Sequence, residues 1–253
     1  GGYNTASTYG NNSFVGGGSQ NILSGTYGMV GGGRCNTAYG SYSFVGGGCS
    51  NTASNGYTTV GGGRCNAASN CYSTVGGGSG NTAAQYSVIG GGRGNTTICT
   101  LSSIGGGGSN TASGQYNSIA GGTNNTSDCN HSSIGGGNTN TASGSSATIG
   151  GGKSNTASCN YSTVGGGYLN EASNYYSTVG GGVDNTALGS SSTVSGGYSN
   201  RACAGASTIG GGVSNVIASG VTGVVIGGGV SNTASGTYST IGGGAGNNAS
   251  GYS

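Results

Sequence analysis

The chain has 253 residues, 65 of them glycine, and contains neither proline nor tryptophan. Five basic and three acidic residues leave a formal charge of +2, too little over this length to make an electrostatic footprint for nucleic acid or an acidic membrane. Collagen is excluded because it needs Gly at every third residue with abundant proline, charge-driven disorder because there is almost no charge, and a membrane span because no apolar run approaches ~18 residues.

Gly1–Gly2–Tyr3 carries neither an initiator Met nor a signal-peptide pattern, so the chain reads as a mature or excised segment. From there the dominant signal is a repeat. Asn recurs at 4, 21, 36, 51, 66, 81, 95, 110, 125, 140, 155, 170, 185, 200, 215, 232 and 247, in steps of 15 broken by one 14 and two 17s. Val or Ile ahead of a Gly turn keeps the same steps, from Val15 and Val30 to Ile226 and Ile241. The unit is Asn-Thr-Ala-Ser-x-x-Tyr-Ser-Thr-Val-Gly-Gly-Gly-x-x, as written at 155–169. Its positions are numbered below as slots 1 to 15, from the Asn.

Two short stretches per unit, separated by a short turn and a Gly turn, lack a 3.6-residue apolar period and hold too much Gly for helix. They read as strands that pair in parallel with their copies in neighbouring coils. The expected fold is therefore all-β: a parallel β-solenoid, or β-roll, of about sixteen 15-residue coils with two short strands each, forming one repeat domain over 1–253. At about 4.8 Å per stacked strand, sixteen coils would make a rod roughly 75–80 Å long.

Alternation along the strands points Ala of slot 3 and Val or Ile of slot 10 inward. It leaves the two Thr slots and the Tyr slot outside, the latter at Tyr27, Tyr42, Tyr57, Tyr72, Tyr116, Tyr161, Tyr176 and Tyr238. One buried Val or Ile per coil contributes about 1.5–3 kcal/mol, a thin core, so the outward columns are candidate contact surfaces for other chains. In the Gly triplet the first position carries Ala120 and Ser195 elsewhere, while the second and third never vary. Gly166 and Gly167 are therefore expected to be required for their backbone shape, and Gly165 to be replaceable. In the 14-residue coil the missing residue falls between the strands at Ala84–Gln85, and the first 17-residue coil has its extra residues around Tyr9–Gly10–Asn11. The extra pair between Asn215 and Ile226 cannot be assigned from sequence.

The run from Ala234 to Ile241, followed by Gly242–Gly243–Gly244 and Asn247, resembles the head repeats of YadA-like trimeric autotransporter adhesins and related Gly-rich repeats of tail-fibre-type proteins. The likeness covers practically the whole chain, with a coil one residue longer than is usual there. It implies a left-handed parallel β-roll, usually trimeric, on a cell or virion surface.

Reactive chemistry is sparse. Catalytic and metal sites need bases or convergent ligands, and the chain has one histidine, His131, and three acids, Asp128, Glu171 and Asp184. Asp128, Cys129 and His131 are close in sequence, but His131 falls in the Tyr slot. Gly150–Gly151–Gly152–Lys153–Ser154 has a phosphate-loop flavour, yet the first glycine such a loop requires is Ala147 and no helix follows. No catalytic, metal or cofactor site is expected.

Eight cysteines permit disulfides in an oxidising compartment. Cys35, Cys49 and Cys65, just after the Gly turn on three successive coils, are the candidate disulfide slots; Cys99, Cys129 and Cys159 stand two coils apart, too far to bridge one another. Asn-x-Ser/Thr triplets offer candidate glycosylation at Asn11, Asn95, Asn124, Asn125, Asn130, Asn160 and Asn248. The chain opens in a Gly turn and stops mid-coil after Asn248, so neither end reads as capped.

These features point to a non-enzymatic structural fibre or adhesin segment on the outside of a cell or virion. Its expected partners are copies of itself, side by side and head to tail, and glycans, with no nucleic acid and no membrane insertion by this segment. An ice-binding solenoid with a Thr array is the alternative, drawn from slot 2 (Thr37, Thr52, Thr82, Thr96, Thr111 and others) and interrupted by Glu171 and Arg201.

Overall fold

The computed structural model describes residues 3–6 and 12–251. Within them it contains strands and turns and no helix. The coils fall into two compact units, Gly1–Asn124 and Asn125–Ser253. Each unit is a parallel β-solenoid with two strands per coil.

The strands are short, two residues each, because a Gly corner or a tight turn interrupts the chain after every pair. The first ladder runs through slots 2 and 3, for example Thr37–Ala38, Thr52–Ala53 and Ala67–Ala68 in unit 1, or Thr141–Ala142 and Thr156–Ala157 in unit 2. The second runs through slots 9 and 10, as in Thr59–Val60 and Thr74–Val75, or Thr163–Val164 and Thr178–Val179. Pairing is in register by slot: Val75 lies opposite Val60, Ala157 opposite Ala142.

A third side, not expected from sequence, is a column of parallel bridges at slot 14. It links Arg34, Cys49, Arg64, Ser79 and Arg93 in unit 1, and Lys153, Tyr168, Val183 and Tyr198 in unit 2.

The inward positions are four per coil, twice the number expected. Ala of slot 3 and Val or Ile of slot 10 are buried throughout the interior coils, as alternation implied. Slots 1 and 8, two residues before each of these, are buried as well; slot 1 is asparagine and slot 8 is polar in most coils, with Gly28, Ala147 and Val224 the apolar exceptions. The slot-8 hydroxyl closes the turn onto the slot-5 carbonyl: Ser73 Oγ donates to Asn70 O at 2.6 Å and Ser162 Oγ to Cys159 O at 2.6 Å. Only Ser43 and Ser192 leave a buried hydroxyl without a partner among the described residues.

The slot-1 asparagine does more. Asn170 Nδ2 donates to Gly166 O and Gly182 O, both at 2.8 Å, and its Oδ1 accepts from the Asn185 backbone N–H at 3.0 Å. The same pattern repeats at Asn36, Asn51 and Asn81 in unit 1 and at Asn155, Asn200 and Asn215 in unit 2. Aspartate lacks the amide donors and serine lacks the reach, so asparagine is the residue that fits.

The Gly corner corrects the sequence expectation. At the third position, Gly167 has φ +92, and a Cβ would lie 2.1 Å from Gly182 O and 2.6 Å from Asn170 Nδ2. It is barred by both conformation and space. Gly166 has φ +159 and open space around it, so its requirement rests on backbone shape alone, at the edge of the disfavoured region. At the first position, expected to be permissive, a Cβ on Gly165 would meet Gly180 O at 2.2 Å. Ser195 does occupy that position, exposed and with its amide still bonded to Ile209 O at 3.0 Å, so the slot adapts only by local adjustment.

Length irregularities are absorbed between the strands. Deletion in the 14-residue coil leaves Val88 opposite Thr74 and Ile89 opposite Val75. In the second 17-residue coil, Val216–Ile217 and Val225–Ile226 keep register with their neighbours, which places the extra residues in the 218–224 turn. The turn around Tyr9–Gly10–Asn11 lies outside the described residues.

Two outcomes test this account. Asn170→Ala strands two glycine carbonyls and one amide and should cost about 3 kcal/mol or more in denaturant unfolding; Asn170→Asp, of nearly the same shape, should lose a comparable amount. Among Gly180, Gly181 and Gly182, alanine should be most costly at Gly182 (φ +88, Gly197 O 2.2 Å from the added Cβ), next at Gly180 (Ser195 O at 2.3 Å) and within about 0.5 kcal/mol of neutral at Gly181, whose φ is not in the left-handed region and whose surroundings are open.

Candidate functional site

Outward side chains form columns because every coil repeats its neighbour's register. The Tyr column is the most ordered. In unit 1 the rings of Tyr27, Tyr42, Tyr57, Tyr72 and Tyr86 stack with centroids 4.9–5.1 Å apart and planes within 9° of parallel. In unit 2 Tyr161 and Tyr176 stack at 5.0 Å. Each ring is about half exposed.

The slot-7 backbone is left-handed, with φ +59 at Tyr42, Tyr57 and Tyr72. That is unusual for a bulky residue. It is held by the turn's hydrogen bonds, such as Tyr42 N–H to Thr26 O at 2.9 Å, and the stacking of like rings adds to it. Gly223 takes the same slot in the long coil, and a Cβ there would fall 2.6 Å from the ring of Tyr238.

Threonines form two further columns. At slot 9 of unit 2, Thr148, Thr163, Thr178, Thr193 and Thr208 follow one another in unbroken register. The slot-2 column of the same unit is interrupted where Glu171 stands between Thr156 and Thr186, and again at Arg201.

Sequence-flagged reactive residues are dispersed by this geometry. His131 takes the Tyr slot with φ +61, exposed, and Asp128 and Cys129 are exposed in the preceding turn. Among the described residues no three His, Cys, Asp or Glu side chains converge as metal ligands would. The Gly150–Ser154 turn is an ordinary corner, three of whose amides are spent on neighbouring coils: Gly150 N–H donates to Val164 O, Lys153 N–H to Gly167 O and Ser154 N–H to Asn138 O, each at 2.9 Å. Lys153 Nζ instead lies 5.7 Å from the Tyr168 ring centroid, a cation–π contact.

All eight cysteines are free thiols. Cys35 and Cys65 occupy slot 15 with φ +56, Cys49 slot 14 between them. Cys35 Sγ donates to Gln20 Oε1 at 3.3 Å, and Cys49 Sγ lies 3.6 Å from Ser50 Oγ.

The candidate glycosylation sites divide sharply. Asn95 and Asn125 are slot-1 asparagines, fully buried. Asn95 Nδ2 is bonded to Gly91 O and Gly107 O, and Asn125 Nδ2 to Gly137 O. A glycan on either would take the place of an amide hydrogen that ties the coils and would need room that a fully buried Nδ2 lacks, so both are withdrawn as acceptors in the folded chain. Asn124, Asn130 and Asn248 are exposed, and Asn160 is half-buried with its Oδ1 accepting from Ser145 N–H. Asn11 lies outside the described residues.

Comparison with protein-family models and with curated proteins finds no match.

Expression in a host that attaches N-glycans gives a clear expectation. Peptide mapping of the folded fraction should find Asn95 and Asn125 unoccupied, with any occupancy confined to exposed acceptors such as Asn124, Asn130 and Asn248.

Proposed function

We propose that this chain is a non-enzymatic structural segment of an extracellular fibre or surface adhesin, whose repeating face associates with copies of itself. The observation that carries the reading is the stacked Tyr column of unit 1: five half-exposed rings at the coil period on a backbone fixed by hydrogen bonds above and below. Such a row presents apolar area already ordered, so association does not have to immobilise each side chain separately. Aromatic rows with polar rims are favoured contact surfaces, and the flanking Thr and Ser columns supply the rim. The resemblance to adhesin head repeats is in keeping with this. An extracellular setting is part of the same proposal, since glycans on exposed Asn would give a nearly uncharged surface its solubility.

Ice binding is the second reading, favoured by the five-coil Thr column from Thr148 to Thr208. The two readings separate experimentally. Sedimentation and electron microscopy of the purified chain should show laterally associated assemblies that grow with concentration, and the combined variant Tyr42→Ser, Tyr57→Ser and Tyr72→Ser should remain folded but shift toward single chains. A monodisperse single chain at all concentrations, or thermal hysteresis that Thr163→Tyr and Thr178→Tyr abolish, would favour the ice-binding reading instead.

A further inference from the structure

The small overall charge conceals a segregated one. All three acidic residues of the chain, Asp128, Glu171 and Asp184, lie beyond residue 124. Unit 1 therefore contains Arg34, Arg64 and Arg93 and no carboxylate side chain to neutralise them.

The fold gathers these three arginines into one file. All occupy slot 14, in the bridge column Arg34, Cys49, Arg64, Ser79, Arg93, and all are exposed. Every second coil contributes one guanidinium, so at about 4.8 Å per coil the charges recur at about 9.6 Å over about 19 Å. Their backbones are fixed, with Arg34 N–H on Gly48 O and Arg64 N–H on Gly78 O at 2.9 Å, and Arg93 N–H on Gly107 O at 2.8 Å. Between them stand the small side chains of Cys49 and Ser79, and the adjoining slot 15 carries Cys35, Ser50, Cys65 and Gly80. The result is a polar strip with evenly spaced bidentate donors.

The geometry points to an acidic linear polysaccharide as the ligand of this strip, one bearing a carboxylate on every second sugar. A sugar and its glycosidic link are about as long as one coil rise, so alternate sugars meet alternate coils. Guanidinium and carboxylate pair through two parallel hydrogen bonds, and three weak surface pairs act together because the polymer links them. Nucleic acid fits less well. In a duplex its phosphates recur at about 3.4 Å per strand along the helix axis, so three charges would engage a minority of them, and for a single strand slots 14 and 15 from Ser19 to Asn124 hold no aromatic ring on which a base could stack. The proposal concerns a single copy and does not depend on self-association.

The test uses the full chain with immobilised hyaluronan, which has one carboxylate per disaccharide, beside uncharged dextran and single-stranded poly(dT). Hyaluronan should bind, dextran should not, and binding should fall steeply as salt is raised toward about 1 M, where the Debye length is about 3 Å. Each of Arg34→Gln, Arg64→Gln and Arg93→Gln should weaken binding about two- to fivefold, and the triple variant tenfold or more. The pair Lys153→Gln and Arg201→Gln, which removes two positive charges elsewhere, should change it less than twofold. Arg64→Ser combined with Ser79→Arg keeps the charge and the column but breaks the spacing, and should bind like a single-arginine loss. Unchanged binding in a folded triple variant, no binding by the wild type, or poly(dT) binding as tight as hyaluronan would overturn the assignment.

Discussion

The carboxamide of the slot-1 asparagine couples each Gly corner to the corner stacked upon it, and the rest of the coil is arranged around that contact. Its two amide hydrogens go to glycine carbonyls on successive corners and its oxygen receives the next asparagine's N–H, so one side chain satisfies three backbone groups that would otherwise be buried unpaired. A hydrophobic core of one Val or Ile and one Ala per coil leaves little margin for unpaired groups. The polar ladder is thus a condition for burying that core rather than an addition to it.

The third glycine belongs to the same device. The atom nearest a hypothetical Cβ is a neighbouring carbonyl, but the asparagine amide is close behind, at 2.7 Å for Gly152 and Gly182. The corner backbone must come this near for the amide to reach two carbonyls at once, and only glycine allows the approach at φ near +90. Asparagine and third glycine are therefore one structural unit split across two intervening residues, which explains why neither varies while slots 14 and 15 between them accept arginine, cysteine, tyrosine or aspartate. Chemical variety is confined to positions that this unit leaves outside.

The period, the two strands and the inward Ala and Val columns were legible because they depend on residue spacing alone. Burial of Asn and of the slot-8 Ser was legible in principle, since each lies two residues before a core position and a strand turns alternate residues to one face; their polarity argued the other way, and only the carbonyls waiting inside reverse that argument. The left-handed Tyr slot had no comparable signal, because no propensity rule places a bulky ring at φ +59. Inference from Ala120 and Ser195 misjudged the first glycine, since occurrence in one coil does not reveal the adjustment that admits it. The arginine file was hidden for a different reason: a net charge averages over the chain, whereas register decides which charges become neighbours.

The coil-to-coil hydrogen bonds of both strand ladders, the bridge column and the asparagines run along the stacking direction of each unit. Tension applied along that direction pulls on the bonds of an end coil first, and they part without disturbing the coils behind. A released coil of 15 residues extends to about 50 Å of chain where it had occupied about 4.8 Å, roughly a tenfold gain in length per coil. A stack of this kind would yield under load one coil at a time, lengthening while its remaining coils stay folded.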